Sequence, residues 1–224
     1  MIIYKVCRFI CHIIIRLFWP LKIEGEEISN YKGPYILAAN HVSYLDPVVL
    51  GIAVRKPINF IAKKEVFDIP ILGFILKRIG VIPVDRKNIN PASIRKSIAL
   101  LKEGHILGIF PEGTRSLDGK LLELNSGLIK IALQTNVPII PVGLSGTFEI
   151  YPPHAKLPTL FKKQFIYIHF GKPLYLDRNK RKEVEYIKNS LQKIENKIRE
   201  LTQLSKKNDV DKNYSEVNFY AKHK

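Results

Sequence analysis

Short apolar runs alternate with amphipathic stretches along most of the chain after Pro20. The apolar runs are rich in β-branched residues and predict strands at 35–39, 58–62, 80–84, 105–110, 138–143 and 165–170. The stretches between several of them have the apolar spacing of helices, at 47–55, 64–79, 91–103 and 126–136. Strands that alternate with helices of about a dozen residues are typical of α/β proteins. We therefore predict a single α/β domain with a mainly parallel central sheet flanked by helices.

The segment before Pro20 is strongly apolar but is interrupted by four titratable side chains. They are Lys5, Arg8, His12 and Arg16. On a helix their spacing places them on one basic stripe, whereas a signal peptide or a membrane-spanning helix has a longer uncharged stretch. We predict an N-terminal amphipathic helix over 1–20 that lies in the membrane interface, with its apolar side among acyl chains and its basic side against anionic headgroups. The alternative is a core helix with one edge in water.

The chain changes character after residue 177. Residues 178–204 are polar, with apolar positions at the spacing of a helix, and residues 205–224 are highly charged. We predict a C-terminal helix followed by a charged, disordered tail. The predicted division is an interfacial helix at 1–20, an α/β domain at 21–177, a helix at 178–204 and a tail at 205–224.

The strongly positive net charge of the chain indicates an anionic partner. It has 224 residues with 36 Lys and Arg against 20 Asp and Glu, a formal net charge of +16. Such a surface attracts a lipid surface, a phosphorylated substrate or nucleic acid. The sequence contains no recognised nucleic-acid-binding motif, so we expect no nucleic acid partner. Cys7 and Cys11 are too few for a disulfide framework and indicate a reducing compartment, and without a Cys/His cluster we expect no metal site.

Three polar clusters directly follow predicted strands. They are Asn40–Asp46 after the run at 35–39, Asp85-Arg86 after 80–84, and Pro111–Ser116 after 105–110. Ligands of open α/β sheets bind beyond the carboxyl ends of the parallel strands. We therefore expect the three clusters to meet at one rim of the sheet.

The side chains at this rim suit transfer to or from a phosphorylated compound. His41 can take a proton from a hydroxyl, and Asp46 can orient the imidazole as the carboxylate of a triad does. Arg86 and Arg115 can bind a phosphate through two parallel hydrogen bonds each. Asp46 precedes Pro47, so a helix-capping role is the alternative for this carboxylate.

Four motifs resemble, in order, those of the glycerolipid acyltransferases typified by 1-acyl-sn-glycerol-3-phosphate acyltransferase. They are Asn40-His41-x4-Asp46, GVIPVDR at 80–86, FPEGTRS at 110–116 and VPIIPV at 137–142. His-x4-Asp alone is common by chance, whereas the four motifs together are highly specific. The resemblance covers roughly residues 20–175.

The resemblance implies an activity. A fatty acyl group moves from acyl-CoA or acyl-carrier protein to the free hydroxyl of lysophosphatidic acid, which gives phosphatidic acid for phospholipid biosynthesis. His41 is implied to be the general base and Asp46 its partner. The residues implied to form the acceptor site are Arg86, Glu112, Gly113, Thr114 and Arg115, with the arginines facing the phosphate. The resemblance implies that no covalent acyl-enzyme is needed, and we expect no cofactor and no metal.

These expectations leave alternatives of two kinds. One alternative is an acyltransferase whose acceptor is glycerol-3-phosphate or a lyso-aminolipid, and the other is a non-catalytic protein that keeps the fold and binds a lipid surface. We expect a protein bound to the cytoplasmic face of the cell membrane, in contact with anionic lipid. Residues 66–76 are apolar throughout, so we expect them to enter the bilayer or to line an acyl channel. The alternative for that segment is a buried helix.

Overall fold

The computed structural model describes residues 2–85, 91–160 and 164–221. Within these ranges the strands are β1 (Leu21–Glu24), β2 (Ile36–Ala39), β3 (Ile58–Lys63), β4 (Ile82–Val84), β5 (Ile106–Ile109), β6 (Ile139–Ser145) and β7 (Ile166–Phe170). The helices are α1 (Ile2–Phe18), α2 (Asp46–Ala53), α3 (Pro70–Arg78), α4 (Pro91–Lys102), α5 (Gly127–Thr135), α6 (Thr147–Ile150) and α7 (Val184–Ala221). Short 3₁₀ turns lie at Glu26–Asn30, Lys64–Asp68 and Arg178–Lys180.

The strands form one sheet in the order β1-β7-β6-β2-β5-β3-β4. Strands β2 to β6 are parallel to one another, β7 runs antiparallel to β6, and β1 runs parallel to β7. The prediction of an α/β domain with a mainly parallel sheet is confirmed. The sequence pattern does not predict β1, because its short LKIE run gains its strand conformation only by pairing with β7.

Helices cover both faces of the sheet. One core lies between the sheet and helices α1 and α2, and it includes Ile15 and Leu50. The other lies beneath α4, α5 and α7, and it includes Ile129 and Ile198. Every residue of β2 is buried, as parallel strands covered on both faces require. The carboxyl ends of β2 to β6 all point to one rim, which is where the polar clusters were expected.

Two predicted helices differ from those in the structure. The stretch at 64–79 is a 3₁₀ turn followed by α3, because Ile69 precedes Pro70 and is held in an extended conformation. Helix α7 continues to Ala221, past residue 204 where we predicted a disordered tail. The sequence from Val184 to Ala221 contains neither Pro nor Gly, so nothing in it stops the helix.

Helix α1 packs on α2 through one side. Ile15 is buried on this side, and the Arg8 guanidinium donates hydrogen bonds to the carbonyl oxygens of Gly51 (3.1 Å) and Ile52 (2.9 Å). These carbonyls lie in the last turn of α2, where backbone acceptors lack partners within the helix and favour a cation. The prediction that the whole basic stripe faces lipid headgroups is therefore wrong for Arg8, which faces the protein.

The opposite side of α1 is apolar and exposed. Its exposed side chains are Ile2, Val6, Phe9, Ile10, Ile13, Ile14 and Leu17. Helix α3 contacts α1 and contributes the exposed side chains of Ile71, Leu72 and Phe74, and Ile69 just before it is exposed as well. We call these two sets together the outer apolar surface. A core helix would bury such side chains, so the core-helix alternative for 1–20 does not hold.

A helix that spans a bilayer needs about 20 predominantly apolar residues. Within the described ranges, no helix is both long enough and apolar enough to span a membrane.

Candidate active site

Two of the three predicted polar clusters meet at the rim. Strands β2 and β5 are neighbours in the sheet, so the segment that follows β5 lies beside the one that follows β2. The backbone N–H of Ser116 donates to the carbonyl oxygen of His41 at 2.9 Å, and this hydrogen bond joins the two segments. Asp85 follows the edge strand β4. Arg86 lies outside the described residues.

His41 and Asp46 form a hydrogen-bonded pair. The distance from His41 Nδ1 to Asp46 Oδ2 is 2.8 Å, and Asp46 is completely buried. The same oxygen accepts the backbone N–H groups of Val42 and Ser43, each at 2.7 Å. The other oxygen, Oδ1, accepts the hydroxyl of Thr147 at 2.7 Å. Both oxygens of the buried carboxylate therefore have donors, as a buried charged group requires.

These contacts bear on the helix-capping role considered for Asp46. Leu45 is the N-cap of α2 and Asp46 is its first residue, and the carboxylate accepts from Val42 and Ser43, which precede the helix. The capping alternative is therefore wrong, because the carboxylate does not face the free N–H groups of α2. With Nδ1–H donated to Asp46, Nε2 of His41 is the nitrogen left to accept a proton.

The imidazole of His41 is also fixed by an aromatic neighbour. Its ring stacks on that of Phe110, with centroids 4.0 Å apart and an interplanar angle of 18°. Phe110 in turn stacks on Phe60 at 5.9 Å. The stack leaves 13% of the His41 side chain exposed, so the ring is held but remains accessible from one side.

A cavity of about 390 Å³ opens beside His41. Its wall is mostly apolar and includes Phe60, Val66, Leu72 and Leu76. It continues to α1, where Cys7 and Cys11 line it. The segment 66–76 thus lines the cavity on one side and is exposed on the other, as part of the outer apolar surface. Only Gly73 of α3 is buried, so the buried-helix alternative for this segment is wrong.

Arg115 lies at the same cavity, with its guanidinium stacked 3.6 Å from the ring centroid of Tyr44. Its Nη1 is buried and has no hydrogen-bond partner among the described residues. Lys63, at the end of β3, also lines the cavity, and its Nζ is 2.9 Å from Glu65. Arg8 of α1 lines the cavity as well, so the cavity combines an apolar interior with three cations and an imidazole.

The other described residues predicted for the acceptor site, Glu112, Gly113 and Thr114, do not line this cavity. Gly113 is exposed and has a φ of 73°, so it provides the left-handed turn after Glu112. Thr114 is exposed beside it. Glu112 is only 6% exposed, and its oxygens accept the backbone N–H groups of His41 (2.5 Å) and Leu122 (2.8 Å).

Sequence reasoning missed three contributors to the site. Lys63 is the first polar residue after the predicted strand at 58–62, so the signal that identified the other rim clusters was present for it. Tyr44 stands within the His-x4-Asp motif, but the motif does not show that it stacks on Arg115. Thr147 lies 101 residues from Asp46, and no local pattern connects them.

No group of three or more His, Cys, Asp or Glu side chains within the described ranges is arranged to hold a metal ion. The polar groups at the cavity are instead suited to proton transfer and to binding an anion.

The carboxyl of Glu112 has a raised pKa. Burial is the main cause, and it raises the pKa of Glu112 from 4.5 to about 7. The backbone N–H groups of Leu122 and His41 lower the pKa of this carboxyl, and the charge of Asp46 raises it. Because this pKa is higher in the folded protein, the folded chain keeps a proton between pH 4.5 and about 7 that the unfolded chain releases.

This difference predicts a pH-dependent stability. The contribution of Glu112 to the free energy of unfolding should fall by on the order of 3 kcal/mol as pH rises through that window. Glu112→Gln has no proton to lose, so the wild type should lose stability relative to this variant between about pH 5 and about pH 8. Urea unfolding of both proteins across the window measures this, and parallel pH profiles would contradict it.

The chain is similar to known acyltransferases. A family model described as Acyltransferase matches residues 20–145. The chain is 35% identical over 173 residues to the 1-acyl-sn-glycerol-3-phosphate acyltransferase of Bacillus subtilis, a match that covers 77% of this chain and 82% of the relative. It is 36% identical over 140 residues to a chloroplastic 1-acyl-sn-glycerol-3-phosphate acyltransferase of Arabidopsis thaliana, which covers 60% of this chain and 38% of that longer relative.

A solved structure supports the same grouping. The crystal structure of the 1-acyl-sn-glycerophosphate (LPA) acyltransferase from Thermotoga maritima matches with a TM-score of 0.73 and 25% identity. The match covers 88% of this chain and 79% of that one. The family model spans more than half of the chain, and the Bacillus subtilis relative is matched over most of its length. The chain therefore belongs to the acyltransferase family, and it is an enzyme of that class.

Proposed function

We propose that the protein transfers a fatty acyl group from acyl-CoA or acyl-carrier protein to the free hydroxyl of lysophosphatidic acid, forming phosphatidic acid. The observation that carries this proposal is the His41–Asp46 pair at a largely apolar cavity that Arg115 also lines. The names of the relatives support the choice of acceptor, since they are 1-acyl-sn-glycerol-3-phosphate acyltransferases.

In the proposed reaction His41 is the general base. Its Nε2 takes the proton of the acceptor hydroxyl as the hydroxyl oxygen attacks the carbonyl carbon of the thioester. A C–O bond forms, the C–S bond breaks, and the leaving thiolate takes the proton from the imidazolium. Asp46 holds the ring in the required tautomer and stabilises the imidazolium while it exists. No covalent acyl-enzyme is needed.

The two kinds of surface at the cavity suit the two parts of the substrates. The apolar interior provides space for a fatty acyl chain, and burial of such a chain is favourable. Arg115, with a donor free among the described residues, is suited to bind the acceptor phosphate, and Lys63 supplies a second positive charge. Arg86 remains a predicted phosphate ligand.

We propose further that the outer apolar surface lies on the cytoplasmic face of the cell membrane. Phe9 is 65% exposed and Phe74 is 54% exposed, and an apolar patch of this kind is typical of a contact with a membrane or another molecule. Lys5 and Arg16 are exposed on α1 and can meet anionic headgroups. In this position a lipid acceptor and an aqueous thioester donor can reach the same cavity.

The function is tested by thiol release from acyl-CoA with the protein bound to anionic vesicles, with and without lysophosphatidic acid. Release should depend on the acceptor, and His41→Ala should lower the rate by about 10²–10⁴-fold because the general base is lost. His105→Ala, which changes an exposed histidine outside the cavity, should retain wild-type turnover.

The same assay separates the alternatives. Release only with acyl-carrier protein, glycerol-3-phosphate or a lyso-aminolipid would keep the reaction class and change the substrate. Wild-type turnover in His41→Ala would contradict the mechanism. The absence of transfer with every donor and acceptor would favour a lipid-surface binding protein.

Arg115→Ala should weaken binding of the acceptor phosphate. Loss of a charge-assisted hydrogen bond corresponds to a decrease in kcat/KM for the acceptor of about 10–100-fold. Arg115→Lys should recover only part of this loss, because lysine lacks the planar pair of donors. Steady-state kinetics with lysophosphatidic acid measure the effect, with Arg199→Ala on α7 as the control. Unchanged acceptor kinetics in Arg115→Ala would show that Arg115 does not bind the phosphate.

Membrane attachment is tested by vesicle flotation of the double variant Phe9→Glu/Phe74→Glu. Each replaced ring removes apolar burial that corresponds to about tenfold or more in partitioning. The control is Val184→Glu, which changes an exposed apolar residue on α7, the helix that covers the opposite face of the sheet. Equal flotation of the wild type and the double variant would exclude the outer apolar surface as the membrane contact.

A further inference from the structure

The segment that follows β5 holds His41 from three directions. The ring of Phe110 stacks on the imidazole, and the backbone N–H of Ser116 donates to the His41 carbonyl oxygen. Glu112 Oε1 accepts the backbone N–H of His41 at 2.5 Å. The main chain of His41 is thus bound at both its donor and its acceptor, while Asp46 orients the ring. Among the described residues, Glu112 supplies a side-chain contact to this main chain.

Each oxygen of the Glu112 carboxylate accepts a backbone N–H. Its second oxygen, Oε2, accepts the N–H of Leu122 at 2.8 Å. Glu112 is 6% exposed and does not line the cavity, whereas His41 and Arg115 both do. A carboxylate that is buried and bonded in this way is closed to an acceptor in the cavity.

We propose that Glu112 is a positioning residue for His41 and does not contact the acceptor. Its carboxylate joins the His41 main chain to the backbone at Leu122, and so it sets where Nε2 stands relative to the reacting hydroxyl. This inference rests on the proposed function, in which His41 is the general base. It replaces the acceptor-binding role that the sequence resemblance implied for Glu112.

The chemistry of the contact explains why this position needs a glutamate. Two backbone N–H groups point at it, and a carboxylate offers an acceptor oxygen to each. Glutamine offers one oxygen and one NH₂, so Glu112→Gln would set a donor against a donor. Aspartate keeps both oxygens, but its side chain is one methylene shorter, so the oxygens lie farther from the two N–H groups. Displacement of a catalytic group by about 1 Å can cost on the order of 100-fold in rate.

The kinetic test compares Glu112→Gln with a matched control, Asp118→Asn. Asp118 is in the same connection, and its carboxylate accepts the Ser116 hydroxyl (2.9 Å) and the Lys120 N–H (3.1 Å). We expect Glu112→Gln to lower kcat about 10–100-fold with the acceptor KM changed by less than about twofold, and Asp118→Asn to change neither. A raised acceptor KM with unchanged kcat would show that Glu112 contacts the acceptor and would overturn the proposal.

A second measurement does not depend on turnover. The ring nitrogens of His41 are observed by NMR in ¹⁵N-histidine-labelled protein and assigned by their loss in His41→Ala. We expect Glu112→Gln to shift or broaden these signals and Asp118→Asn to leave them unchanged. Unchanged His41 signals in a folded Glu112→Gln protein would overturn the proposal. If Glu112→Gln does not fold, Glu112→Asp is measured in its place, and we expect the same change in the His41 signals.

The kinetic assay and the NMR comparison distinguish a failure of the proposed function from a failure of the positioning role of Glu112. If the wild type transfers no acyl group to any acceptor, the proposed function fails, and the NMR comparison still decides whether Glu112 positions His41. If the wild type is active and the His41 signals do not respond to Glu112→Gln, the positioning role fails and the proposed function stands.

Discussion

The buried carboxylate of Asp46 is the contact on which the site depends. It joins the imidazole of His41 at the end of β2, the turn through Val42 and Ser43, and Thr147 at the start of α6. A completely buried carboxylate is tolerated only when donors surround it, so these parts of the chain are fixed relative to one another. The geometry of the candidate dyad is thus a consequence of the packing of the fold and not of the motif alone.

The same helix connects this dyad to the outer apolar surface. Asp46 begins α2, and the carbonyl oxygens of Gly51 and Ile52 in the last turn of α2 accept hydrogen bonds from Arg8 of α1. The two ends of one short helix therefore contact the proposed membrane helix and the proposed general base. Helix α1 also lines the cavity through Cys7 and Cys11. One side of this helix therefore forms part of the cavity wall, and the other side is apolar and exposed.

The sequence predicted features whose cause is local. Apolar runs and helical spacing indicated the alternating fold, and the short separation of His41 and Asp46 already placed them in one polar cluster after the predicted strand at 35–39. Contacts between distant segments could not be predicted in this way. The bond from Thr147 to Asp46 depends on the arrangement of strands, and the orientation of Arg8 depends on which side of α1 meets α2. Glu112 was identified as part of the site, but only the fold shows that its carboxylate faces the backbone.

The central claim is that Asp46 acts through His41 as one catalytic unit. A double-mutant cycle on kcat/KM with His41→Ala, Asp46→Asn and the combined variant tests it most directly. The account predicts that each single change lowers the rate and that adding Asp46→Asn to His41→Ala lowers it no further. Losses that multiply in the double variant would contradict the account, because Asp46 would then act on the reaction independently of His41.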